Sequence, residues 1–158
     1  MSLPVQSVRA APEHRDVLTA VAELLRQDKA DQLRELLSRM GDAPVGPFRS
    51  ESDAIGFLRD RLVATLRPEE IWLFGSRARG QSSPHSDFDL LVVLADGLPE
   101  ENYEPQKVAA PVTACGLAVD VVPCRKGDFM KDKDDPSCLV GQAVREGRKI
   151  YVRRPKRQ

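Results

Sequence analysis

The run Asp87-Phe88-Asp89-Leu90-Leu91-Val92-Val93 sets two carboxylates at the mouth of an apolar segment. An apolar segment of that length, rich in branched residues, predicts a strand covered on both faces. Side chains alternate along a strand, so Asp87 and Asp89 share one face and Phe88 takes the other. Two like charges held that close repel, and beside a core they are costly unless a cation neutralises them. Upstream, Ile71-Trp72-Leu73-Phe74 is a second short apolar run that stops at Gly75-Ser76, with ten residues between that pair and Asp87. The sequence therefore predicts a strand, a tight turn rich in backbone N–H groups, and a second strand delivering a carboxylate pair. Such an arrangement suits a metal-bound triphosphate.

Composition bounds this reading. A chain of 158 residues accommodates one domain with a real core and a small appendage. Lys plus Arg and Asp plus Glu are equal at 24 each, so no global field draws the chain to nucleic acid. Between Arg145 and Arg157 there are seven basic residues and one acid, Glu146. That cluster reads as a solvated tail, with nucleic acid or an acidic partner as the less favoured reading. Cys115, Cys124 and Cys138 are an odd number at wide spacings, which fits neither a disulfide framework nor a zinc pair; they read as reduced, mostly buried thiols. No apolar run approaches the roughly twenty residues of a membrane span, and the N-terminus lacks a signal-peptide pattern. The expected location is cytoplasmic, away from the membrane.

Helical spacing is clear from Glu13 to Met40, where Leu18, Ala22, Leu25, Leu33, Leu36 and Met40 mark one stripe and Gln27-Asp28-Lys29 can split it. Gly41-Asp42-Ala43-Pro44-Val45-Gly46-Pro47 reads as a linker. Residues 1–47 are thus expected to be an N-terminal helical extension, either a hairpin or an oligomerisation element, and 48–158 the core domain. A helix from Ser52 to Leu66 is predicted next, capped by Ser50 or Ser52. It is followed by strands Ile71–Phe74, Asp87–Ala95 and Leu117–Val122, the last closed by Pro123. Glu100 to Ala114 is weakly helical, Pro136–Glu146 is a last helix, and Lys149–Val152 is a short edge strand. Alternating helices and strands predict an α/β sheet flanked by helices.

Glycine at 75 lets backbone approach a ligand, and Ser76 adds a hydroxyl for a phosphate oxygen. No lysine follows at the spacing of a P-loop, which disfavours kinases and ATPases of that class. Gly80 reads as a turn glycine, His85 as a solvated loop residue, and Trp72 as core. Arg77 and Arg79 flank the turn, and two roles stay open for them: clamping a triphosphate or facing solvent.

The motif order, Gly75-Ser76-Arg77-Ala78-Arg79-Gly80 followed by Ser86-Asp87-Phe88-Asp89-Leu90-Leu91-Val92, resembles the minimal nucleotidyltransferase branch of the DNA polymerase β-type superfamily. The resemblance extends from about Ile55 to Val152 and includes Ala143-Val144-Arg145-Glu146-Gly147 and Ile150-Tyr151. It implies a nucleotidyltransferase-type mixed sheet flanked by helices, and transfer of AMP from ATP, or of another nucleotide from its NTP, onto a hydroxyl. Members of that branch often serve as antitoxins to small helical HEPN toxins, which makes such a toxin the first expected acceptor. A small molecule of antibiotic type is the second, and a non-catalytic antitoxin is the competing class. The resemblance also implies a third carboxylate on a neighbouring strand. Asp120, alone in Ala118-Val119-Asp120-Val121-Val122, is the favoured candidate, with Asp96 and Asp128 weaker. Asp87, Asp89 and Asp120 would then hold two Mg²⁺ ions, with Asp120 either holding the ion that activates the acceptor hydroxyl or taking its proton.

Overall fold

The computed structural model describes residues 15–27, 29–33, 44–83 and 85–154. The chain divides into two units, Met1–Gly41 and Asp42–Gln158. In the first, helix α1 spans Arg15–Arg26, opening on Asp16 and closing on Arg26, as the helix dipole favours. Helical structure resumes at 30–33, so the chain breaks at the polar stretch around Gln27. Leu36, Met40 and Gly41 of the expected stripe and its stop lie outside the described residues, as does His14.

In the second unit, α2 (Glu51–Leu66) is capped by Ser50, whose side chain accepts the Asp53 amide at 3.1 Å. Leu58 and Leu62 on its inner face are fully buried. Strand β1 (Glu70–Phe74) leads into a single helical turn, α3 (Gly75–Ala78), and then β2 (Phe88–Leu94). After 3₁₀ turns at Glu100–Tyr103 and Ala110–Val112, either side of α4 (Pro105–Ala109), the chain enters β3 (Val119–Arg125). Helices α5 (Lys126–Asp132) and α6 (Leu139–Glu146) precede β4 (Arg148–Val152).

The four strands form one mixed sheet in the order β3-β2-β1-β4. β1 runs antiparallel to both β2 and β4, while β2 and β3 are parallel. The parallel pair requires a crossover, which the segment containing α4 supplies. One sheet face, with Ile71, Leu73, Phe88, Leu90, Val92 and Val121, packs with Leu58 and Leu62 of α2 and with Val108 and Val112. The other, with Leu91 and Val93, packs on Phe129 of α5 and Ala143 of α6, joined by Trp72, Phe74, Val122 and Cys124. Each side chain fully buried this way contributes about 1.5–3 kcal/mol. Both faces of β2 are covered, which is why its sequence is continuously apolar rather than alternating.

Three expectations are corrected. Pro123 does not end the third strand but lies inside it, opposite Val92; β3 is an edge, where a missing N–H costs no ladder bond. The last helix begins at Leu139, not Pro136, with Cys138 as its cap. Helix α5 was not anticipated from the polar stretch Lys126–Asp132. The unit boundary falls between Gly41 and Asp42, so all of the expected linker but Gly41 belongs to the core unit. Val45 is only 5 % exposed and bridges to Phe48. Gly46 has φ +54°, and a Cβ there would lie 2.7 Å from Leu117.

Far from the turn, Glu70 is a buried acid bonded to Lys126 Nζ at 3.0 Å and Trp72 Nε1 at 2.9 Å, and paired with Lys149 at 3.2 Å. Burial alone would raise its carboxyl, but those three donors outweigh it and hold the group below the usual range. The basic cluster is partly spent on the fold itself, since Lys149 pairs with Glu70 and Arg153 with Glu69 at 2.9 Å. Among the described residues no helix is long and apolar enough to cross a membrane.

Candidate active site

The expected turn is a helical one. Gly75 opens α3 at φ +71°, a conformation that L side chains resist. A Cβ built on it would lie 2.1 Å from Asp89 Oδ2. Glycine is thus required twice, for its dihedral and for the approach of a carboxylate. Ser76 follows in the first turn of α3, where backbone N–H groups have no partner within the helix.

Asp89 is the second residue of β2 and sits between two neighbours in register, Phe74 on β1 and Asp120 on β3. Asp120 shares its face with Val122 and Cys124, and Asp89 shares the same face with Leu91. Phe88 points to the opposite side and is fully buried against α2, as alternation requires. Asp87 lies just before the strand and is exposed; Asp120 is exposed as well, on an edge strand, and Asp89 is half-buried. Burial first, then the negative charges of Asp120 and Asp87, hold the Asp89 carboxyl above its usual range, while Arg79 pulls it down. The three acids therefore share one electrostatic neighbourhood.

Among the described residues no three His, Cys, Asp or Glu side chains already form a cluster able to hold a metal ion. Asp89 and Asp120 are in register on one face and the charge of Asp87 reaches Asp89; carboxylate oxygens are the donor type that suits a hard cation. Magnesium is commonly held by one or two carboxylates, with substrate phosphates and waters completing its octahedron. The weaker candidates fall elsewhere. Asp96 accepts the Gly127 amide at 3.0 Å at the start of α5, and Asp128 lies in the first turn of that helix.

The two arginines separate. Arg79 is exposed and reaches Gln81 at 3.1 Å and Glu146, at the end of α6, at 3.3 Å. Arg77 turns inward, bonding to the Ser86 carbonyl and stacking on Phe88. Of the two roles left open, a clamp or a solvated residue, burial removes the solvated one for Arg77. The one signal for its role was Phe88 itself, whose inward ring leaves an aromatic platform below the aspartate pair. His85 is an exposed loop residue, and Trp72 packs with the α5–α6 layer, its ring 6.2 Å from that of Phe129. The three thiols are free and half-buried, and burial pushes Cys124 up to about 11, which leaves it inert.

The sequence profile described as nucleotidyltransferase domain matches residues 55–145. No curated protein matches the chain. Among solved structures, a nucleotidyltransferase candidate from Sulfolobus solfataricus is 22% identical, covering 63% of this chain and 78% of its own, with a TM-score of 0.42. A toxin–antitoxin complex with AMP-PNP is 25% identical over 63% of this chain and 73% of its own, with a TM-score of 0.42. A complex of tri-AMPylated Shewanella oneidensis HEPN toxin with MNT antitoxin is 26% identical, over 65% of this chain and 70% of its own, with a TM-score of 0.35.

Proposed function

This chain belongs to the nucleotidyltransferase domain family, and on that premise we propose that it moves AMP from ATP onto a hydroxyl of a HEPN-type toxin. The observation that carries the chemistry is the pairing of Asp89 with Asp120 in register, with Gly75 backbone packed against the Asp89 carboxylate. The acceptor follows from the motif resemblance in Gly75–Gly80 and Ser86–Val92.

Asp87, Asp89 and Asp120 are the residues that would hold Mg²⁺, which supplies charge neutralisation and alignment at the triphosphate when bound. Gly75 and Ser76 would take the phosphates through turn N–H groups and the Ser76 hydroxyl. The acceptor oxygen attacks the α-phosphorus, the bond from that phosphorus to the bridging oxygen breaks, and pyrophosphate leaves with its electron pair. Asp120 receives the proton of the attacking hydroxyl. Most of the acceleration comes from positioning and charge compensation, as in other phosphoryl transfers.

Co-expression with a HEPN-type toxin, followed by intact-mass spectrometry, tests the reading. The partner should gain the mass of one or more AMP groups, and only when Asp87 and Asp89 are intact. An unmodified partner that is still neutralised would make the chain a contact-only antitoxin. If radiolabelled nucleotide goes instead to a small-molecule hydroxyl, the toxin acceptor is wrong.

A further inference from the structure

Arg77 carries the most unexpected set of contacts in the chain. Its side chain is only 2% exposed, although it comes from the turn that should face a nucleotide. Nε and Nη2 both donate to the Ser86 carbonyl, at 3.1 and 2.7 Å, and Nη2 also reaches the Ser83 carbonyl at 3.4 Å. Nη1 lies 3.5 Å from Glu51 Oε1 at the start of α2. The guanidinium carbon sits 3.9 Å from the centre of the Phe88 ring. The loop it grips is closed on itself, since the Ser86 amide donates to Ser83 O at 3.0 Å and the Ser83 amide to Ser86 Oγ at 2.8 Å.

The Ser86 carbonyl belongs to the peptide unit that leads directly into Asp87. Asp89 is fixed by strand pairing on both sides, whereas Asp87 precedes the first paired residue of β2, Phe88. Arg77 is thus the side chain that ties the turn bearing Gly75 and Ser76 to the backbone bearing Asp87. A buried guanidinium is costly unless its donors are satisfied; here the two loop carbonyls take hydrogen bonds from it, the Phe88 ring face covers it, and Glu51 adds an ion pair without a hydrogen bond. Lysine cannot replace it, because one ammonium lacks the planar fork that serves two carbonyls and stacks at once.

We infer that Arg77 is a positioning residue: it sets Asp87 against the phosphate turn by holding the Ser83–Ser86 loop, and it does not touch the nucleotide. The inference rests on the transfer reading above and assigns the carboxylate whose placement needs support.

Arg77→Lys and Arg77→Gln test it, first by hydrogen–deuterium exchange of the nucleotide-free chain. Both should speed exchange across residues 83–87 and leave β1 and β2 protected. In transfer assays the Mg²⁺ concentration for half-maximal rate should rise about tenfold, the scale of losing a group that orients a ligand, with the KM for ATP little changed. Unchanged loop exchange in a folded Arg77→Lys chain overturns the inference, as does a loosened loop with an unaltered Mg²⁺ requirement. A raised KM alone would make Arg77 a nucleotide contact and overturns it too. If Arg77→Gln does not fold, Arg77→Lys, which keeps the buried charge, decides the matter. Absence of transfer by the wild type would defeat the proposed function, while the exchange result still decides whether Arg77 holds the loop.

Discussion

Gly75 and Asp89 are packed so closely that a Cβ on the glycine would overlap the carboxylate, 2.1 Å from Oδ2. Gly75→Ala should therefore do two kinds of damage. The φ of +71° costs any L residue about 1–2 kcal/mol, and the methyl must push Asp89 aside. Thermal melting should show the loss of stability. Calorimetry with Mg²⁺ and a non-hydrolysable ATP analogue should show weakened binding, and Gly75→Val should be worse on both counts. An alanine variant that binds as wild type does would remove Gly75 from the phosphate site.

The carboxylates predict opposite pH behaviour at the two ends of β1. Asp89 is held above its usual range, so the folded chain keeps a proton that the unfolded chain has lost, and stability falls as pH rises through that window. Asp89→Asn should raise the melting temperature at neutral pH without metal, and the gain should vanish in acid below the unfolded value. Glu70 is held below its range, so its contribution is present at neutral pH and is lost as pH falls through its folded value. Glu70→Gln should melt lower at neutral pH and converge on wild type in acid. Melting curves for both variants across the acid range check the two signs together.

Truncation distinguishes the linker from the core. Removing residues 1–41 should leave a folded unit that still binds nucleotide, because Gly- and Pro-rich junctions carry few shared contacts. Removing everything before Phe48 also deletes Val45, which is 5 % exposed in the core, and should cost about 1.5–3 kcal/mol for that side chain. Urea unfolding of the two fragments gives the comparison. Equal stabilities would mean that Val45 contributes nothing.

The pair Asp87/Asp89, the apolar strands around it and the Gly75-Ser76 turn were legible because each rests on local pattern: period-two alternation, a run of branched residues, a glycine at a strand end. Asp120 was picked out by the motif resemblance and by being a lone acid in an apolar run; its pairing with Asp89 was not legible, since it is a long-range register between strands separated by a crossover. That Arg77 is buried was not legible beyond the hint of Phe88's inward ring, because burial of a cation depends on what lies beneath it, and no spacing along the chain reports the Ser86 carbonyl. The packing of Val45 was missed for a similar reason. Val45 looks like a linker residue until its bridge to Phe48 is seen.

Asp120 carries the sharpest functional prediction. It is exposed on an edge strand, where a lone acid can serve merely to keep the edge from pairing with another chain. Its register with Asp89 favours the site role over the guard role, because it adds negative charge to a carboxylate that burial already holds above its usual range. Asp120→Asn should leave Mg²⁺–nucleotide binding measurable, since Asp87 and Asp89 remain. Transfer should fall by about two to four orders of magnitude, the usual loss on removing a general base. The co-expressed partner should then stay unmodified and toxic. Wild-type transfer by Asp120→Asn would mean that the proton goes to another group, and an increase in aggregation as its main effect would mark Asp120 as an edge guard.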